Sequence, residues 1–170
     1  MEKEANGLRI LLPKVIFALV TAILCIVIQG YFGIIYTETD NFTTSLIVQG
    51  YFGNSNFCQT LSPLFCRLVN FICGFAGDTD VFSLSIWIFI TIAFIWLIWI
   101  AESMTMRFLF FFFCVLLTAR FQIFSTNYLI TAGFLGAAGA YSLLMAGKKK
   151  KAERIVCIVM GLLLFTMGFF

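Results

Sequence analysis

Long runs of apolar residues dominate the chain, and short polar segments separate them. A membrane-spanning helix needs about 20 apolar residues, and five runs reach or approach that length. They cover Val15–Tyr36, Val81–Ile100, Arg107–Phe121, Tyr128–Ala146 and Ile155–Phe170. The pattern predicts an all-α, polytopic integral membrane protein with about five transmembrane helices, in which residues 1–170 form one membrane domain.

The amino-acid composition supports this class of protein. The chain has 170 residues, of which 62% are hydrophobic and 11% are charged, and 22 of them are Phe. A soluble domain of this length could not bury so much apolar surface. The last run, Ile155–Phe170, would form a helix of about 24 Å against a bilayer core of about 30 Å. We therefore expect the sequence to be a fragment of a longer chain.

The basic residues predict how the helices are oriented. Several lie before the first span, and the basic turn Lys148–Arg154 lies between the fourth and fifth spans. Because Lys and Arg are enriched on the cytoplasmic side, we expect a cytoplasmic N-terminus and place loop 37–80 outside the plasma membrane. Trp96 and Trp99 then suit the cytoplasmic interfacial belt. We expect the basic turn to lie against anionic lipid headgroups at the cytoplasmic surface, and we expect no nucleic-acid partner.

The cysteines predict neither a disulfide framework nor a metal site. Three of the six lie within apolar runs, where a thiol acts as a small apolar side chain. The other three lie in the outer loop, where one disulfide would leave one thiol over. The chain has no His, so the usual zinc sites lack their commonest ligand.

The outer loop contains signals for two short helices. Asp40 is a suitable N-cap for a weakly amphipathic helix over residues 41–49. Ser62 followed by Pro63 predicts the start of a second helix, which we expect to end at Gly74. The second helix would reach across about half a bilayer, so we expect it to lie flat or to dip in and return.

The same loop carries two acid-x-acid triplets, Glu38-x-Asp40 and Asp78-x-Asp80, and one cation, Arg67. Carboxylates two residues apart point the same way in an extended segment, and they can share a divalent cation or divide acid and base roles. An Arg nearby suits a phosphate group. The structural alternative is that Asp40 and Asp80 cap helices, while Glu38 and Asp78 keep the loop hydrated.

Two features of the later spans also have alternative explanations. Arg120 lies at the outer end of the third span, so it either snorkels to the interface or faces an outer site that holds a lipid-linked phosphate. The fourth span places Ala132, Gly136 and Ala140 at four-residue steps. Small residues at this spacing predict a helix-packing surface, through which a partner helix would bind.

The order of these features resembles the N-terminal part of multi-spanning bacterial membrane proteins related to the GT-C glycosyltransferases. The resemblance is carried by "YTETDNF" after the first span, by "LSPLFCRLVNFIC" before the second, and by "RFQIFSTNYLITAGFLG" before the basic turn. It implies a polyprenyl-phosphate-linked sugar as donor. It also implies an acidic site at Glu38 and Asp40, with Asp40 as the catalytic base.

We therefore predict sugar transfer from a lipid-phosphate donor at the outer face. Asp40 would deprotonate the acceptor hydroxyl, and Glu38 would help to hold a divalent cation or the base. Arg67 or Arg120 would offset the charge of the phosphate. The alternatives are a non-catalytic membrane scaffold or partner subunit and, third, a transporter component. The transporter is disfavoured because no charged residue lies at the middle of a span.

Overall fold

A computed structural model describes residues 2–32, 44–47, 49, 63–76, 79–117 and 128–168, and most of these residues are helical. The helices are α1 (Glu2–Phe32), α2 (Pro63–Ala76), α3 (Val81–Ile100), α4 (Met104–Leu117), α5 (Tyr128–Ala146) and α6 (Lys151–Met167). A single helical turn occupies residues 44–47, and these described segments contain no strand. The all-α part of the prediction is confirmed.

Each predicted span overlaps a helix, and two of them have the predicted bounds. These two are α3 and α5. Three helices begin earlier than the apolar runs, at Glu2, Met104 and Lys151, because polar residues extend a helix as readily as apolar ones. At the start of α4, the Ser103 hydroxyl accepts a hydrogen bond from the Met106 amide at 3.2 Å. This N-cap explains why α4 begins before Arg107.

Within the described ranges, one helix is long and apolar enough to cross a membrane, judged by length and composition. This helix is α3, with 20 residues and a mean hydropathy of 2.5. The other apolar helical stretches are shorter, at Leu11–Val27, Phe65–Ala76, Met104–Leu116 and Ile130–Ala146. The membrane-spanning status of those four is therefore not established by this criterion.

Helix α3 is the centre of the fold. It packs against α1, α2, α4 and α5, while α5 and α6 form the most extensive helix pair. The half of α3 that carries Phe82 and Ile90 forms one apolar cluster with residues of α1, α2 and α4. The half that carries Ala93 and Leu97 forms a second cluster with α5 and α6. Neighbours on several sides explain why α3 is apolar around its whole circumference.

The contact between α5 and α6 is too close for side chains at two glycines. A Cβ atom on Gly139 would lie 2.7 Å from the carbonyl oxygen of Gly161. A Cβ atom on Gly168 would lie 2.7 Å from the carbonyl oxygen of Ala132 and 2.6 Å from the amide nitrogen of Gly136. Part of the predicted packing surface of the fourth span is therefore used within the chain. An additional partner helix stays a prediction.

The two helices of the outer loop are present in part. Helix α2 begins at Pro63 as expected, but it continues through Gly74 to Ala76, so the predicted end is wrong. The Phe71 and Phe75 rings pack edge to face across that position, with centroids 5.2 Å apart, and their contact favours another turn of helix. Of the first predicted helix, the described residues form a turn at 44–47, and its other residues lie outside the described part apart from Gln49.

Candidate functional site

Only one of the predicted site residues falls in the described part of the chain. Glu38, Asp40 and Arg120 lie outside it, as does Asp78, so their roles stay predictions. Arg67 is described and lies on α2. Among the described residues, no group of three or more Cys, Asp or Glu side chains could hold a metal ion. The divalent-cation site predicted at Glu38 and Asp40 lies outside these residues and stays a prediction.

The position of Arg67 is set by the opposite face of α2. Phe65, Cys66 and Val69 are buried on that face, and the Phe65 ring meets the Phe82 ring of α3 edge to face, with centroids 6.3 Å apart. Arg67 is exposed. The helix therefore anchors through its apolar face and presents the guanidinium group away from the core, where it is available to an external anion.

Asp80 has the structural role that the sequence predicts for it, because it is the N-cap of α3. One carboxylate oxygen, Oδ1, accepts from the Ser83 amide at 3.1 Å. The other, Oδ2, accepts from the Ser83 hydroxyl at 2.9 Å. Both bonds satisfy donors at the start of the helix. The capping interpretation of Asp80 is confirmed.

The same carboxylate also holds a distant segment of the outer loop. The Ser45 hydroxyl donates to Oδ1 of Asp80 at 3.3 Å, and the Gln49 side-chain amide donates to the same oxygen at 3.1 Å. Gln49 also donates to the Ser45 hydroxyl. Sequence reasoning missed this tie, although Ser45 and Gln49 are four residues apart and so share one helical face. The network fixes the segment that follows Asp40 in the sequence to the start of α3.

An apolar groove lies between α1 and α3. Its volume is about 490 Å³, and its lining includes Cys25 and Ile26 of α1 with Leu84, Trp87, Ile88 and Ile92 of α3. The indole nitrogen of Trp87 is buried and has no hydrogen-bond partner among the described residues. The groove runs along the half of α3 that begins at Asp80, so it adjoins the end where the outer loop is tied.

Charged residues gather at the opposite end of the bundle. The Lys14 ammonium lies 5.8 Å from the centroid of the Trp99 ring. Lys148 forms an ion pair with Glu102 at 3.8 Å, and the Arg107 guanidinium donates to the Ala101 carbonyl at 3.0 Å. Three segments that the sequence predicts on the same side of a membrane therefore meet at one end of the fold. They are the leader, the turn before α4 and the turn before α6.

A second cavity lies among these charges. Its volume is about 250 Å³, and its lining includes Lys14, Trp96, Trp99, Lys149, Ala152 and Glu153. Burial lowers the pKa of Lys14, and repulsion from Lys149 and Arg107 lowers it further, while Glu153 acts in the opposite direction. No local sequence signal predicts this cavity, because its residues come from three helices that are far apart in the chain.

Comparison with known proteins adds no relative. No protein-family model matches the chain, and no curated protein or solved structure is significantly similar to it.

Proposed function

We propose that the chain is a polytopic helical membrane protein that takes part in sugar transfer from a lipid-phosphate donor at its outer face. The membrane assignment is supported by apolar side chains that point away from the bundle. Phe75 is 79% exposed and Leu144 is 76% exposed, and α1, α4 and α6 also carry several exposed Leu, Ile, Val or Phe side chains. Soluble monomers rarely expose apolar patches of that extent.

Helix length and charge distribution also support a membrane position. Helix α3 has 20 residues, about 30 Å, which matches a bilayer core of about 30 Å. The apolar stretches of α1 and α5, Leu11–Val27 and Ile130–Ala146, reach about 25 Å. One end of the bundle carries Lys14, Arg107, Lys148 and Lys149, while Asp80 and its partners lie at the other. In this orientation the basic end is cytoplasmic.

The apolar groove between α1 and α3 is the observation that carries the proposed substrate class. A lipid-linked donor has a long hydrocarbon chain, which needs an apolar surface, and a phosphate, which needs cations at the end of that surface. The groove supplies the first, because Ile26, Leu84 and Ile88 line it. Arg67 lies on α2, which packs on the same half of α3, and it is the exposed cation that we assign to the phosphate.

In the proposed reaction, Asp40 takes the proton of the acceptor hydroxyl. The hydroxyl oxygen then forms a bond to the anomeric carbon of the sugar. The bond between that carbon and the phosphate oxygen breaks, and its electron pair leaves with the lipid phosphate. Arg67 or Arg120 offsets the charge on the leaving phosphate, and Glu38 positions the base or holds a divalent cation.

The decisive experiment compares the Asp40→Asn variant with the wild type in membranes that contain the full-length natural protein. The readout is transfer of labelled sugar from a panel of polyprenyl-phosphate sugars. Loss of a general base slows transfer by about 10²–10⁴-fold, whereas abundance and insertion should be unchanged. Asp78→Asn is the matched control, because it removes the same charge from the same loop. An Asp40→Asn variant that transfers sugar at the wild-type rate would contradict the proposed role of Asp40 as the catalytic base.

A non-catalytic scaffold or partner subunit is the second candidate function. It is favoured by Gly136, whose backbone lies against Gly168 but where an added Cβ atom would meet nothing within 4 Å, so the Cβ side of this position is open to another helix. Under this alternative, Asp40→Asn is silent and Gly136→Leu releases a partner. Chemical cross-linking in membranes before and after the Gly136→Leu change distinguishes the two functions.

A further inference from the structure

The cavity at the basic end of the bundle has the construction of an anion site. Lys14 of α1 and Lys149 of the turn before α6 both line it. Among the described residues, neither lysine has a carboxylate within ion-pair distance. The ion pair at this end of the bundle joins a different lysine, Lys148, to Glu102. Glu153 is the acidic side chain of the lining. The cavity thus combines two cations with one anion and holds excess positive charge.

A third cation adds to this excess. Arg107 is only 7% exposed, and its Nε atom is buried with no hydrogen-bond partner among the described residues. Its charge acts on Lys14 and lowers the pKa of the ammonium group. Arg107 does not line the cavity, but with Lys14 and Lys149 it outnumbers the one carboxylate of the lining, Glu153. The three cations repel one another, so a bound anion would reduce that repulsion.

The start of α6 faces the same space. Ala152 and Glu153, in the first turn of this 17-residue helix, line the cavity. The N-cap residue is Lys150, whose side chain makes no capping hydrogen bond. The first amides of a helix are left without intrahelical partners, and together with the helix dipole they favour a phosphate group. Trp99 closes the site next to Lys14, where its indole ring suits the polar boundary of a bilayer.

We propose that this cavity binds one phosphate-bearing anion, held by the Lys14 and Lys149 ammonium groups and by the first turn of α6. The phosphate comes either from the headgroup of an anionic phospholipid or from a soluble phosphate compound. The site is distinct from the outer-face site of the proposed sugar transfer, because it lies at the other end of α3, beside Trp96 and Trp99. Neither proposal depends on the other.

The test uses the purified full chain in detergent and counts bound lipids by native mass spectrometry. The probes are phosphatidylglycerol, which is anionic, and phosphatidylcholine, whose phosphate is neutralised by its own choline. We expect retention of phosphatidylglycerol over phosphatidylcholine. The double variant Lys14→Gln/Lys149→Gln should weaken that retention about tenfold or more, since charge-assisted hydrogen bonds are lost.

The matched control is Lys148→Gln/Arg154→Gln. It removes the same charge from the same basic segment, but neither residue lines the cavity, both are exposed, and the Arg154 amide already donates to the Lys150 carbonyl. Retention in this control and loss in the first variant would establish a defined site. Equal loss of lipid retention in both double variants would show a diffuse basic surface and would overturn the proposal. Equal binding of the two lipids, together with no effect of inorganic phosphate on the chain, would also overturn it. Circular dichroism of each variant checks that the helices are intact.

A second arm identifies the source of the phosphate. Inorganic phosphate is titrated into the chain in phosphatidylcholine nanodiscs. The readout is the change in tryptophan fluorescence, to which Trp96 and Trp99 of the cavity lining contribute. A saturable change that disappears in Lys14→Gln/Lys149→Gln supports a soluble phosphate compound. No change, combined with selective retention of phosphatidylglycerol, assigns the site to a lipid headgroup. If neither probe binds in a way that depends on Lys14 and Lys149, the site does not exist.

Discussion

The Gln49 side-chain amide donates a hydrogen bond to the Asp80 carboxylate at 3.1 Å, across 31 residues of sequence. Asp80 also caps α3 through the Ser83 amide. The Asp80 carboxylate therefore has two roles. It caps the N-terminus of the central helix α3, and it holds the turn at residues 44–47 and Gln49 against that end of the helix. A residue with both roles should contribute more to stability than an ordinary N-cap.

We predict that Asp80→Ala is strongly destabilising. Loss of an N-cap alone costs about 0.5–2 kcal/mol, and the donors of Ser45 and Gln49 would also lose their acceptor, which adds about 1–3 kcal/mol. Asp80→Asn should lie between Ala and the wild type, because Asn still caps a helix but has one acceptor oxygen. The measurement is the thermal unfolding midpoint of the chain in detergent.

The control for this prediction is Thr79→Ala. Thr79 is the preceding residue, and it is exposed. If Asp80→Ala lowered the midpoint no more than Thr79→Ala, the network would contribute nothing beyond ordinary loop contacts.

The sequence predicted the existence of the helices better than the residues at which they begin and end. Runs such as Val81–Ile100 coincide with a helix because apolar length is a local property, and polar flanks end it. The predicted end of α2 was wrong because Gly74 does not stop the helix, since Phe71 and Phe75, four residues apart, pack across it and favour another helical turn. Contacts between distant segments, such as Gln49 with Asp80, leave no such local signal.

The contact between α5 and α6 gives a prediction in which two glycines respond with opposite signs. Gly→Ala within a helix normally stabilises by about 0.5–1 kcal/mol, and we expect this for Gly133, where an added Cβ meets nothing within 4 Å. At Gly139 the added Cβ would lie 2.5 Å from the Phe165 amide nitrogen. Gly139→Ala should therefore destabilise the chain.

Thermal unfolding of the two variants, measured side by side in detergent, tests the sign. The variants share the same chemistry and the same helix, so intrinsic helix propensity cancels in the comparison. Two variants that shift the midpoint in the same direction would show that α5 and α6 do not approach as closely as described.

Two cysteines provide a direct test of how α1 meets α4. The sulfur atoms of Cys25 and Cys114 are 4.0 Å apart in the interior, and both residues are buried free cysteines. Thiols this close can be oxidised to a disulfide after a small side-chain movement. We predict that iodine, which enters apolar regions, links Cys25 to Cys114, as detected by peptide mass mapping under non-reducing conditions.

Cys157 is the internal control for this reaction. It is buried in the cluster formed with α5 and α6, whereas Cys25 and Cys114 belong to the other cluster. A Cys25–Cys157 product in place of Cys25–Cys114 would mean that the helices are arranged differently.

The candidate sites divide according to what sequence can show. The capping role of Asp80 was predictable, because an N-cap precedes its helix directly. The cavity around Lys14 was not, because its cations are Lys14 of α1 and Lys149 of the turn before α6, with Arg107 of α4 near them. Only their shared side of a membrane could be inferred from charge. Their convergence depends on how α1, α3 and α6 pack.

The last prediction concerns the pH dependence that follows from Lys14. Its pKa in the folded chain is lowered from 10.5 by burial and by the charges of Lys149 and Arg107, so between the lowered value and 10.5 the unfolded chain binds more protons. Stability must then rise with pH across that window. The loss of stability caused by the Lys14 charge is complete below the folded pKa and disappears above 10.5.

Lys14→Met removes this loss of stability, so it should raise the unfolding midpoint at pH 7 and flatten the rise of stability between pH 7 and about 10.5. Lys151→Met is the control, since Lys151 is exposed and lies outside the cavity. Because a phosphate-bearing anion in the cavity would offset the same repulsion, its addition should narrow the difference between wild type and Lys14→Met. Parallel pH profiles for the wild type and the two variants would show that Lys14 carries no such penalty.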